Sequence, residues 1–216
     1  MKKNQNVLAG ILLLVGFAVW TFLIQEVDVQ PIGPNGSSVG FAALNGWFHQ
    51  LTGVHWMLYT LTDWLGLVPI FVCLIFASIG FVQLVQRKSL FKVDLDIIML
   101  GAYYVLVIFG YLLFEMVPIN YRPVLIEGFL EASYPSSTTL LVLSVMPTLY
   151  FQAQRRLTAS ALRQDIRIFS VLFSAFMVIG RLVSGVHWLT DIVGAVLLSS
   201  GMFLIYKASV NFLCKR

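Results

Sequence analysis

Charge is what this sequence has least of: 11% of its 216 residues are Asp, Glu, Lys or Arg, against about 25% in an ordinary soluble domain. With 59% hydrophobic residues and a mean hydropathy of +0.87, a soluble globule is excluded. Cysteine is nearly absent too. Cys73 sits in an apolar run and Cys214 near the end of the chain, which excludes a disulfide framework or a thiolate cluster; no metal and no cofactor are expected. The sequence shows no internal repeat or low-complexity tract, and it lacks the apolar–polar alternation of barrel strands.

Long apolar runs take the place of these features. A helix that crosses a bilayer needs about 20 apolar residues, and the runs near 7–24, 66–86, 97–114, 138–151, 168–186 and 188–206 predict an all-α integral membrane bundle of six helices. The whole chain, 1–216, reads as one domain. The first run follows Met1-Lys2-Lys3 as a signal core would, but Gln25-Glu26-Val27 offers no small-residue cleavage pattern, so it reads as a retained span. The longest stretch between runs, 30–62, holds a turn cluster at 34–38 and a mixed segment at 41–53 that predicts a short helix on the membrane surface.

Basic residues set the expected topology. Lys2, Lys3, Arg87, Lys88, Lys92, Arg155, Arg156, Arg163, Arg167, Lys207, Lys215 and Arg216 fall on one side, twelve of the 14 Lys and Arg residues. Lys- and Arg-rich loops stay in the cytoplasm, so both termini are expected there, in a multi-pass protein of the cell membrane. Trp20, Trp47, Trp56, Trp64 and Trp188 all fall toward the outer ends of spans, where indole rings anchor at an interface. The net charge of +4 therefore reports topology and implies no nucleic-acid partner. Tyr103 and Tyr104 read as packing and lipid-facing residues.

Arg122 and Arg181 are the exceptions, on the outer side, where the bilayer centre resists a charge by about 2.5–3.5 kcal/mol. They sit in FEMVPINYRP at 114–123 and GRLVSGVHWLTDIVG at 180–194, with ASYPSSTTL at 132–140 between them. Each stretch lies at the outer end of a span, so the three can meet in one pocket. His187 and Asp191, spaced i, i+4, share a helix face, which predicts a carboxylate that accepts from one imidazole nitrogen and frees the other as base or nucleophile. Arg181 precedes His187 by six residues, with a turn expected at Ser184-Gly185, so its guanidinium can fold back to grip an anion. A phosphate fits, since phosphoryl transfer relies on positioning and charge neutralisation.

These stretches resemble the type 2 phosphatidic acid phosphatase superfamily of membrane lipid phosphatases, related to vanadium haloperoxidases, over about 56–206. The family pattern reads K-x6-R-P, then P-S-G-H, then S-R-x5-H-x3-D. Arg122-Pro123 match the first motif, Pro135-Ser136 the second, and Arg181, His187 and Asp191 the third. The resemblance implies removal of a phosphate from a lipid phosphate or isoprenoid pyrophosphate at the outer leaflet, with His187 as a nucleophile forming a phosphohistidine. Asp191 would orient it, Arg122 and Arg181 would clamp the phosphate, and Ser136 would bind an oxygen. Three positions depart from the pattern: Glu115 stands for the lysine, Ser137 for the glycine and Thr138 for the histidine that protonates the leaving oxygen. General acid catalysis contributes about 10²–10⁴-fold. Its loss leaves two rescues open, a pyrophosphate leaving group or a proton from His49 or His55, and one alternative, a protein that binds or moves phospholipids without hydrolysis.

Overall fold

The computed structural model describes residues 2–214, as eight α-helices: α1 Lys2–Glu26, α2 Ala42–Thr52, α3 Trp56–Leu65, α4 Leu67–Arg87, α5 Leu95–Met116, α6 Ser137–Arg156, α7 Ser160–Val183 and α8 Leu189–Leu213. Met1, Lys215, Arg216 and the side chains of Lys2, Lys3 and Asn4 lie outside the described residues, and with them part of the basic count above. No strand forms among the described residues, and the chain is all-α apart from three isolated β-bridges. Five stretches, Gln5–Glu26, Trp56–Arg87, Leu95–Met116, Ser160–Val183 and Leu189–Leu213, are long and apolar enough to cross a membrane, which makes this a multi-pass membrane protein.

The helix α6 coincides with the expected run at 138–151 but differs from those five. It carries Thr139, Ser144, Thr148 and Gln152 in buried positions, and α4, α5, α7 and α8 all pack on it. Most of its polar groups are met inside the bundle, although the Ser144 hydroxyl is buried without a hydrogen-bond partner. The Tyr104 hydroxyl lies 2.7 Å from Thr148 Oγ1, the Tyr103 hydroxyl donates to the Ser144 carbonyl at 3.1 Å, and Gln152 Nε2 donates to the Tyr206 hydroxyl at 2.9 Å. Tyr103 and Tyr104 are therefore buried core residues rather than lipid-facing ones, because burial of a phenol requires a partner for its hydroxyl.

The second expected span also starts earlier than its hydropathy suggests. Helix begins at Trp56 and is interrupted only at Gly66. The break follows from Pro69, whose ring clashes with the carbonyl four residues earlier and lacks the N–H for it; that carbonyl belongs to Leu65, the last residue of α3.

Antiparallel packing of α1 on α8 closes the fold. A methyl group at Gly201 would come within 2.8 Å of Leu14 Cδ2, and one at Gly10 within 2.8 Å of Ile205 Cγ1, the close approach that small residues permit between membrane helices. At the other end of the pair Trp20 Nε1 donates to the Thr190 carbonyl at 3.1 Å. There α2, the expected short surface helix, uses the buried Asn45 to bond Thr190 through both Oγ1 and N–H. Of the tryptophans, Trp47, Trp56 and Trp64 are exposed, while Trp188 turns inward and donates to the Tyr121 carbonyl at 2.7 Å.

Candidate active site

The segment between α5 and α6 folds as a short hairpin. Its tip is Glu127-Gly128, both at positive φ (50° and 85°), as a two-residue hairpin turn that follows the strands' twist demands. Arg122 N–H donates to the Glu131 carbonyl at 3.1 Å and Ser133 N–H to the Asn120 carbonyl at 3.1 Å. This register puts Asn120, Arg122 and Ser133 side by side, facing the α7–α8 turn. Tyr134 pins the arrangement: it is buried, its hydroxyl lies 2.7 Å from Thr21 Oγ1, and its ring rests on Gly194, where any Cβ would collide with it.

Opposite the hairpin, α7 ends and α8 begins around a turn at Gly185 (φ +71°). A side chain there would collide with the Gly53 carbonyl, and His55 N–H donates to the Ser184 carbonyl at 3.0 Å. The turn expected at Ser184-Gly185 is thus present, locked by the α2–α3 connection. It folds Arg181 back beside His187.

Four ionisable side chains meet here with almost no solvent exposure: Arg122 8%, Arg181 1%, His187 3% and Asp191 0%. The His187 Nε2 lies 3.3 Å from an Arg181 terminal nitrogen and 3.5 Å from one of Arg122. Guanidinium nitrogens only donate, so this Nε2 carries the lone pair and Nδ1 the proton. The expected direct bond from Nδ1 to Asp191 is not made, the two atoms being 3.7 Å apart. Ser133 stands between them. Its hydroxyl donates to Asp191 Oδ2 at 2.5 Å and lies 3.1 Å from Nδ1, so it accepts the Nδ1 proton while passing its own to the carboxylate. Asp191 also receives Asn120 Nδ2 at 3.0 Å and the Trp188 N–H at 2.8 Å, the latter as the third residue of α8 closing on the residue before the helix.

Burial first, then the charges of Arg122 and Arg181, hold the His187 pKa well below its ordinary 6.5, so the imidazole is neutral at pH 7. Each guanidinium has an acidic neighbour. Arg181 lies 3.6 Å from Asp63 and its Cζ sits 5.0 Å from the Tyr59 ring centre; Arg122 Nε lies 3.0 Å from Glu131, too bent for a hydrogen bond. The Nε atoms of both arginines are buried without a hydrogen-bond partner.

The remaining sequence-predicted residues fall around this cluster. Ser136 is buried, but its hydroxyl donates to Thr139 Oγ1 at 3.0 Å and its N–H to the Asp191 carbonyl at 3.3 Å, so it buttresses the start of α6. Glu115 and Ser137 line a narrow cleft with Ser133 and His187. Thr138 turns the other way, its methyl close to Gly66. His55 binds the Thr52 carbonyl at 2.8 Å and His49 packs on Trp188; neither lines the cleft. Ser133, Asn120 and Asp63 were not foreseen from sequence. Beyond Ser137 and Thr138 a groove of about 520 Å³ opens between α4, α5 and α6, lined by Leu67, Ile70, Val107, Ile108, Leu141 and Val145, with Asp63 at its polar end. Among the described residues no group of three metal-ligating side chains comes together.

No protein-family model matches the chain. No curated protein matches it. Among solved structures, it is similar to a crystal structure described as the first transmembrane PAP2-type phosphatidylglycerolphosphate phosphatase from Bacillus subtilis, with a TM-score of 0.63 at 17% identity, over 94% of this chain and 96% of that one. At that identity the match establishes a shared fold, which extends over nearly the whole chain.

Proposed function

We propose that this protein is a membrane lipid phosphatase of the type 2 phosphatidic acid phosphatase superfamily, acting at the outer leaflet on a lipid phosphate or an isoprenoid pyrophosphate. The observation that carries the reading is the pair of buried guanidiniums converging on one unprotonated nitrogen, 3.3 and 3.5 Å from His187 Nε2. A phosphate bound between them neutralises both charges and presents phosphorus to that lone pair. His187 then attacks to form a phosphohistidine, held in the reactive tautomer by Ser133 and Asp191, and water releases the phosphate.

The shared fold supports this reading at the level of architecture, and the apolar groove supplies a place for a lipid chain beside the cluster. In the same reading α6 is the sixth span, the domain is the whole chain, and both termini face the cytoplasm on the strength of the basic loops.

Phosphate release from a lipid panel by the purified protein and by His187→Ala tests it. Release by the parent and a loss of about 10³-fold or more in the variant is expected, since the nucleophile is removed; equal rates end the idea. A second reading is favoured by Thr138, which faces Gly66 where the resemblance expects an acid: the protein binds lipid phosphates without cutting them. Saturable binding that needs Arg122 and Arg181, with no turnover by the parent, would establish it.

A further inference from the structure

Water that attacks a phosphohistidine must lose a proton, and His187 cannot take it while its Nε2 carries the phosphoryl group. The carboxylates around the cluster differ in what they already hold. Both Asp191 oxygens are engaged, Oδ1 by Asn120 and Oδ2 by Ser133 and the Trp188 N–H, and the residue is fully buried. Glu131 faces Arg122 Nε from the hairpin and lines neither the cleft nor the apolar groove. Glu115 lines the cleft, whose 10 Å³ or so is lined by neither arginine. Thr138 offers only a hydroxyl and turns toward Gly66.

Asp63 combines a contact to the cluster with open space. Its side chain is 59% exposed, it closes the polar end of the groove, and its Oδ1 lies 3.6 Å from Arg181. One residue before it, Thr62 is buried against Gly180, where a methyl group would come within 2.7 Å of Thr62 Cγ2; α3 thus packs on α7 next to Arg181 and carries Asp63 to it. Arg181 turns one terminal nitrogen to His187 Nε2 at 3.3 Å and the other to Asp63. A phosphoryl group seated on that edge of the guanidinium has the imidazole on one side and the carboxylate on the other, and displacement at phosphorus asks for attacking and leaving atoms roughly in line. A lipid chain lying in the groove puts its ester oxygen on the Asp63 side, so water that replaces the departed alcohol enters beside this carboxylate.

We propose that Asp63 is a further catalytic residue, the general base that activates water in the second step. The proposal rests on the phosphatase reading and deepens it. The water oxygen forms a bond to phosphorus as the N–P bond to His187 breaks. The electron pair of that bond stays on Nε2, the water's proton passes to Asp63, and Asp63 returns it to solvent as inorganic phosphate leaves.

Asp63→Ala and Asp63→Asn, assayed with a radiolabelled lipid phosphate monoester that the parent cleaves, test it. The first step does not use this carboxylate, so kcat and KM should fall together by about a hundredfold or more, within the 10²–10⁴-fold of a general base, with kcat/KM kept. The lipid alcohol should appear in a burst stoichiometric with protein. Denatured variant should carry label that withstands base and is lost in acid, as a phosphohistidine does, and formate should restore turnover to Asp63→Ala, where it has room to bind, but not to Asp63→Asn. A kcat/KM that falls with kcat, no covalent label, or no response to formate overturns the proposal, while turnover that still needs His187 leaves the phosphatase reading standing. Label that washes away on denaturation overturns it too, by making Asp63 only the counter-ion of Arg181. If the parent cleaves no lipid phosphate at all, the phosphatase reading fails, and this one with it.

Discussion

At the scale of single residues, Ser133 decides how the imidazole is held. A hydroxyl that both accepts from Nδ1 and donates to Asp191 fixes the tautomer without touching the phosphorus. Ser133→Ala is expected to lower kcat by about ten- to a hundredfold, the 1.5–3 kcal/mol of a hydrogen bond to a charged group, with KM little changed; a rise in KM at constant kcat would make Ser133 a binding group instead. The pH profile follows from the depressed His187 pKa. A base whose pKa is lowered stays neutral until pH falls through that lowered value, so the acid limb of kcat/KM, which reports the free protein, should lie below pH 6.5. A limb centred at or above 6.5 would contradict the neutral-imidazole picture. Arg181, His187 and Asp191 were readable in the sequence because one turn and one helix face relate them locally. Ser133, Asn120 and Asp63 were not, since their arrival depends on hairpin register and on the α3–α4 break, which no periodicity records.

Among the elements, the α1–α8 contact is the one a single atom can test. At Gly201 a side chain meets Leu14 and the Gly10 carbonyl at 2.8–3.1 Å, so Gly201→Val must push the helices apart. Overpacking of this kind costs about 1–3 kcal/mol, and a lower Tm in detergent is expected; an unchanged Tm would show that α1 is only loosely held. Span positions were legible from hydropathy to within a few residues for α4 and α5 and to within about five for α1, whereas α7 starts eight residues before the expected run at 168 and α8 continues seven past its expected end at 206. The reading failed at α3, because ten residues interrupted by Asp63 and bounded by Pro69 do not register as a run of their own, although their backbone continues into α4. It was incomplete at α6, whose position was foreseen but whose buried Thr148 and Gln152 meet hydroxyls on other helices.

On the scale of the whole molecule, the end away from the candidate site is tied by a charge network. Arg156 reaches Asp94 at 3.2 Å and Asp96 at 2.9 Å, Arg155 reaches Asp96 at 3.4 Å, and Arg87 reaches Asp94 at 2.8 Å. The Arg87 hydrogen bond foremost, with Arg156 and Gln83, pulls the Asp94 pKa from 3.8 to about 2. A carboxylate lowered in this way contributes stability that is complete above pH 3.8 and lost as pH falls through about 2. The parent's Tm should therefore drop across that window, and Asp94→Asn should flatten that part of the curve; an identical acid drop in the variant would place the titrating group elsewhere. Basic residues here were legible as topology but not as structure, because composition does not say which aspartate each arginine meets.

The enclosure of α6 bears on how the chain is made. A helix whose buried Thr148 and Gln152 side chains meet hydroxyls on α5 and α8 has little reason to dwell among acyl chains alone. On the six-span reading, a nascent chain that has emerged only as far as Arg156 still lacks the two helices that will wall this one in. Biogenesis must then keep α6 sheltered until α7 and α8 are synthesised, and the last third of translation completes the middle of the protein.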